Sequence, residues 1–153
     1  MIPYMTFLLI GFALAIYDFI IWQQFFFQFN YMVILGIIFG IIGGYFWLVR
    51  RSLSAAGFGS ILKTPRLRIV KGHKLVTTGY YKHIRHPIYT GELFRNSTIP
   101  FILSSWIGII TVTFAFIFLI IRIKIEEDLL LETFGEEYED YRKSTKKLIP
   151  FLY

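Results

Sequence analysis

The chain has 153 residues, of which 56% are hydrophobic and 20% aromatic, and a formal net charge of +6. A soluble domain of this length would not combine so many aromatics with so few charges, and uncharged stretches of about 20 residues are what a bilayer requires. With no cysteine in the sequence, disulfides, thiolate metal sites and a cysteine nucleophile are excluded.

The first apolar run, residues 2–22, is broken only by Asp18. It has no positive n-region and no small-residue cleavage site, so it reads as a retained membrane helix and not as a signal peptide. Gln23, Gln24, Gln28 and Asn30 form a polar turn before the second run, residues 31–49, which ends at Arg50 and Arg51. Gly36, Gly40 and Gly44 recur every four residues in that run, on one face that would let a second helix approach closely.

Residues 50–87 change character. Residues 55–59 read as a helix end or turn. Lys63, Arg66, Arg68, Lys71, Lys74, Lys82 and Arg85 follow, with no acidic residue between Asp18 and Glu92. The positive-inside rule makes this segment cytoplasmic and turns it toward anionic headgroups. Nucleic acid fits poorly as a partner, because the charge lies between membrane spans.

A third, more polar span is expected over residues 88–104, with Glu92, Arg95 and Asn96 inside it, and a fourth over 106–122. Ser104 and Ser105 make a tight connection between the two. Ionisable groups at membrane depth cost roughly 2.5–3.5 kcal/mol each. They are expected to pair (Glu92 or Asp18 with Arg95), to lie near the interface, or to face a wet cavity. Residues 123–145 read as a C-terminal amphipathic helix, with Leu129, Leu130 and Phe134 on one face and Gly135 as punctuation. Lys143, Lys146 and Lys147 form a second basic cluster. Two spans separate the basic regions, so both regions and the N-terminus are expected in the cytoplasm. The expected architecture is a single all-α polytopic membrane domain over residues 1–153, with about four transmembrane helices, a cytoplasmic connecting segment and a C-terminal helix.

Soluble catalytic signatures are missing: there is no Walker loop, no dinucleotide fingerprint and no serine nucleophile motif. His73, His83 and His86 are irregularly spaced, and His86 precedes Pro87 at an expected helix start, so no metal site is expected. The residues alone give a small multi-span membrane protein whose polar face binds an anion or a zwitterion.

Arg85-His86-Pro87-Ile88-Tyr89-Thr90-Gly91 resembles the R-H-P-x-Y-x-G motif of the isoprenylcysteine carboxyl methyltransferase and phospholipid methyltransferase families. His73-Lys74-Leu75-Val76-Thr77-Thr78-Gly79 is similar to the segment that precedes that motif. Glu126-Glu127 and Phe134-Gly135-Glu136-Glu137-Tyr138 resemble the families' acidic pair and F-G-x-E-Y box. The likeness runs from about Arg50 to Phe151. Tyr80 stands where the families commonly have proline, and Thr98 where they commonly have glycine.

The resemblance implies an integral membrane methyltransferase that uses S-adenosylmethionine and takes a lipophilic substrate from the bilayer. It assigns His73, Lys74, Leu75, Val76, Gly79, Tyr81, His86, Pro87, Ile88, Tyr89 and Glu126 to the cofactor. Arg122 would face the substrate, and Arg85 and Glu127 belong to the motifs. The implied reaction is carboxyl O-methylation of an isoprenylcysteine-like acceptor. Phospholipid amines and small thiols are the alternatives, and for these Glu127 is the candidate base. A non-catalytic lipid-binding module of the same fold is the reading from a different class.

Overall fold

The computed structural model describes residues 2–21, 30–53 and 75–149. The glutamine turn after Trp22, the turn at 55–59, the basic residues from Lys63 to Lys74 and the chain end from Pro150 lie outside the described residues. Five α-helices are present among those described: α1 (Ile2–Ile21), α2 (Tyr31–Leu53), α3 (Pro87–Ile102), α4 (Trp106–Phe134) and α5 (Glu136–Ser144). A 3-10 turn, Gly79–Lys82, precedes α3.

Among the described residues, three helices are long and apolar enough to cross a membrane: Ile2–Ile21, Tyr31–Val49 and Trp106–Phe134. The expected third span forms as α3, but its 16 residues include Glu92, Arg95 and Asn96 and do not join that set. α4 does not stop near residue 122. It runs for 29 residues, roughly 43 Å at 1.5 Å per residue, against a hydrocarbon core of about 30 Å. Its uncharged part ends at Ile121, and the helix continues through Arg122, Glu126 and Glu127.

The chain divides into two compact units. The first comprises residues 1–45 and 91–120. Its helices meet through small residues. A Cβ on Gly11 would come within 2.9 Å of Val112, and one on Gly108 within 2.6 Å of Ala15, so α1 and α4 cross at these points. α2 meets α3 through Gly36, Gly40 and Gly43, opposite Ile102, Thr98 and Arg95. Gly44, which the spacing of four places on the shared face, has nothing within 4 Å; Gly43 takes the close contact instead. Asn30 caps α2, its Oδ1 accepting from the amides of Met32 (2.9 Å) and Val33 (3.3 Å). Its Nδ2 donates to Ser104 Oγ in the turn between α3 and α4. The polar residues of α3 are tied to α1: Tyr4 donates to Glu92 Oε2 at 3.3 Å, and Asn96 donates to the Tyr4 hydroxyl at 2.8 Å. Glu92 therefore meets a tyrosine, and neither of the pairs expected with Arg95 forms among the described residues. Ile34, Ile41, Ile107, Ile110, Phe114 and Ile117 stand exposed, as side chains facing lipid do.

The second unit comprises residues 46–90 and 121–153. Its core is Tyr81, Ile88, Leu130, Tyr138 and Tyr141, with Leu75, Val76 and Phe134 packed against it. Gly135, at φ +54°, ends α4 and lets the chain turn into α5. Glu136, Glu137 and Glu139 lie in the first turn of α5 and Arg142 and Lys143 in its last, matching the helix dipole. After α5 the chain runs beside the segment leading into α3. Ile84 and Lys146 form a parallel bridge. The Arg85 amide donates to Lys146 O at 2.8 Å and the His86 amide to Lys147 O at 3.1 Å. The Thr90 hydroxyl donates to Leu148 O at 2.6 Å.

Candidate functional site

Pro87 opens α3, as its fixed φ and missing amide favour. It sets His86 at the helix entrance and Tyr89 in the first turn. α4 places Glu126 and Glu127 on consecutive positions, so the two carboxylates point to different partners. The Tyr89 hydroxyl donates to Glu126 Oε2 at 2.8 Å, and Arg122 Nε donates to the same hydroxyl at 2.9 Å. Arg122 and Glu126, four apart on α4, thus meet through Tyr89.

Glu127 is engaged on both oxygens. Arg85 Nε reaches Oε1 at 2.8 Å and His86 Nε2 at 3.2 Å, while Lys147 Nζ lies 3.5 Å from Oε2. Glu127 lies beyond the uncharged part of α4. Burial pushes its carboxyl up, but the hydrogen bonds and charges of His86 and Arg85 outweigh that and hold it at about 2. A carboxylate so held is a poor proton acceptor. Arg85 Nη1 also donates to Arg142 O at 3.1 Å and to Thr145 O, so its guanidinium caps the C-terminus of α5.

Tyr81, Arg85, His86, Pro87, Ile88, Tyr89 and Glu126 line one small cleft, of about 10 Å³. Arg122 joins it through Tyr89, and Glu127 through Arg85 and His86. Leu75 and Val76 pack on the apolar core. Gly79 opens the 3-10 turn at φ +65°, which a glycine adopts without strain. His73 and Lys74 lie outside the described residues. Thr145 and Lys147, which take part in the cluster, were not marked as site residues by the sequence; Lys147 stood only in a basic run. Tyr138, from the F-G-x-E-Y segment, is fully buried, and its hydroxyl has no partner among the described residues.

A sequence model of the isoprenylcysteine carboxyl methyltransferase (ICMT) family matches residues 45–132. The chain belongs to that family. Within 82 residues it is 40% identical to a protein-S-isoprenylcysteine O-methyltransferase of Dictyostelium discoideum, covering 53% of this chain and 35% of the relative. It is 33% identical over 79 residues to a methanethiol S-methyltransferase of Crocosphaera subtropica, 52% of this chain and 30% of the relative. A protein-S-isoprenylcysteine O-methyltransferase of Saccharomyces cerevisiae is 30% identical over 120 residues, 78% of this chain and 49% of the relative. The chain thus spans about half or less of the length of these relatives. Among solved structures, the eukaryotic intramembrane Ras methyltransferase ICMT superposes with a TM-score of 0.74 at 26% identity, covering 94% of this chain and 52% of that one. The all-helical membrane fold is therefore that of the ICMT family, and the matched residues include the R-H-P-x-Y-x-G motif and the Glu126–Glu127 pair.

Proposed function

We propose that this protein is an integral membrane methyltransferase that moves a methyl group from S-adenosylmethionine to the carboxylate of an isoprenylcysteine-like acceptor drawn from the bilayer. The observation that carries the reading is the Tyr89 hydroxyl, which ties Arg122 to Glu126 beside the His86–Pro87 helix entrance.

The polar groups around this cleft suit those of the cofactor. Glu126 is a buried carboxylate, 3% exposed, that can accept from a ribose hydroxyl or an ammonium group. The start of α3 offers amide donors and a positive dipole end to a carboxylate. When bound, S-adenosylmethionine supplies an electrophilic methyl on a cationic sulfonium.

Methyl transfer is an in-line displacement, and alignment is its main requirement. Tyr89 holds the Arg122 side chain by one nitrogen, which leaves the rest of the guanidinium to grip an acceptor carboxylate. The carboxylate oxygen bonds to the methyl carbon as the carbon–sulfur bond breaks, and the opposite charges of acceptor and sulfonium cancel. A water-poor pocket favours that cancellation. No proton has to leave. Glu127, bound by three cationic or imidazole partners, serves as a tie between α4, α3 and the C-terminal segment, not as a base. The basic segments would face the cytoplasm together with both termini.

The likeness to a methanethiol S-methyltransferase favours a thiol acceptor as the second reading. One assay separates the two. Purified protein is given methyl-labelled S-adenosylmethionine and either N-acetyl-farnesylcysteine or a small thiol. Base-labile label on the prenylcysteine, released as methanol, is the expected result. Base-stable label on the thiol alone would replace the carboxylate reading. Transfer to neither would argue for a non-catalytic module.

A further inference from the structure

A second cavity, of about 540 Å³, lies in the same unit and shares no described lining residue with the first. Phe46, Tyr80 and Ile84 line it with apolar surface, and Lys82, His83 and Lys146 line it with basic groups. The Phe46 and Tyr80 rings lie 6.3 Å apart, tilted at 55°. Lys82 and Lys146 make no ion pair among the described residues, and no described acidic residue lines the cavity. The volume lies within the range of sites that hold small organic ligands, roughly 300–1,000 Å³.

Its location narrows the ligand further. Phe46 sits near the end of the second membrane run, Tyr31–Val49, so the cavity opens where hydrocarbon gives way to headgroups. An apolar wall with basic groups at that depth fits an anionic amphiphile. Basic pockets at membrane interfaces bind anionic headgroups, and each lysine near the surface adds attraction.

We propose that this cavity holds one anionic phospholipid of the surrounding bilayer, its phosphate between Lys82 and Lys146 and one acyl chain along Phe46, Tyr80 and Ile84. Ile84 belongs to the bridged segment that continues into Arg85 and His86. A lipid seated there stabilises the strip of chain that carries the R-H-P motif. The proposal does not depend on the methyl transfer reaction.

The test is thermal unfolding of the detergent-purified protein in mixed micelles. Phosphatidylglycerol is expected to raise Tm by about 3 °C or more, and phosphatidylcholine to raise it by clearly less. Lys82→Glu and Lys146→Glu should each abolish the difference. Lys143→Glu removes the same charge outside the cavity, on a side chain 67% exposed and paired with Asp140, and should keep it. Lys82→Gln and Lys146→Gln repeat the test without a new charge. Equal stabilisation by the two lipids, or loss of the difference in Lys143→Glu as well, would reduce the effect to bulk charge and overturn the proposal. So would N-acetyl-farnesylcysteine producing the Lys82- and Lys146-dependent shift where phosphatidylglycerol does not, which would make the cavity a substrate site.

Discussion

Arg85 Nε lies 2.8 Å from Glu127 Oε1, and both side chains are more than nine-tenths buried. One guanidinium thereby joins the start of α3 to α4 and also takes the terminal carbonyls of α5. Removing one partner of a buried pair leaves the other charge without its partner, which typically costs about 3–5 kcal/mol. Arg85→Ala should lose at least the lower end of that range, because the Thr145 and Arg142 carbonyls are freed as well. Glu127→Gln should cost less, since the amide oxygen can still accept from Arg85. Chemical unfolding in detergent checks both, and the double variant should be destabilised by less than the sum of the two.

The Tyr89 hydroxyl has two partners of opposite charge, and Tyr89→Phe removes both bonds without emptying the ring's volume. The variant should fold. Its affinity for S-adenosylmethionine should fall by roughly tenfold, in line with losing hydrogen bonds to charged groups at about 1.5 kcal/mol or more. Equilibrium binding with the labelled cofactor measures this. Unchanged affinity would separate Tyr89 from the cofactor.

Three phenols outside the membrane spans, Tyr81, Tyr138 and Tyr141, are pushed above their ordinary value of 10.0, chiefly by burial. A raised folded-state pKa means the neutral phenol is favoured in the fold. The associated stability is complete below pH 10 and is lost as pH rises further. Tm should be flat through pH 8–9 and drop steeply above 10. Tyr138→Phe should blunt that alkaline drop at little cost at neutral pH, because its hydroxyl has no partner to lose among the described residues. Tyr141→Phe should be destabilising at neutral pH, because its hydroxyl donates to Tyr81 O at 2.7 Å.

Adjacent glycines in α2 should respond in opposite ways. A Cβ at Gly43 would stand 2.5 Å from the Arg95 backbone nitrogen, so Gly43→Ala forces α2 and α3 apart, at about 1–3 kcal/mol. Gly44 faces open space, and Gly44→Ala should be neutral or stabilising by up to about 1 kcal/mol through helix propensity. Paired unfolding curves in one detergent decide it.

That contrast also shows how far the sequence could be read. Spacing by four picked out a glycine face, but 3.6 residues per turn lets the neighbouring position take the closest contact. Pro87 and Gly135 mark their boundaries because each imposes a local backbone geometry that no partner can override. The end of the fourth apolar run was less legible. The charges after Ile121 change the solvent preference but, Asp128 apart, are good helix formers, so α4 continues without a break. The R-H-P-x-Y-x-G and Glu126–Glu127 motifs carried the chemistry of the cluster. The parts supplied by Thr145 and Lys147 come from backbone pairing between segments about 60 residues apart, which no local pattern encodes. The bond from Tyr4 to Glu92 is equally long-range, and apolar flanks conceal it in the sequence.

On the proposed function, Glu126, held by Tyr89, belongs to a site for S-adenosylmethionine. Calorimetric titration of the cofactor into the detergent-purified protein and into Glu126→Ala tests it most directly. Micromolar binding by the native chain, weakened at least tenfold in a variant that still unfolds cooperatively, is the predicted result. Equal binding by the two proteins, or none by a well-folded native sample, would contradict it.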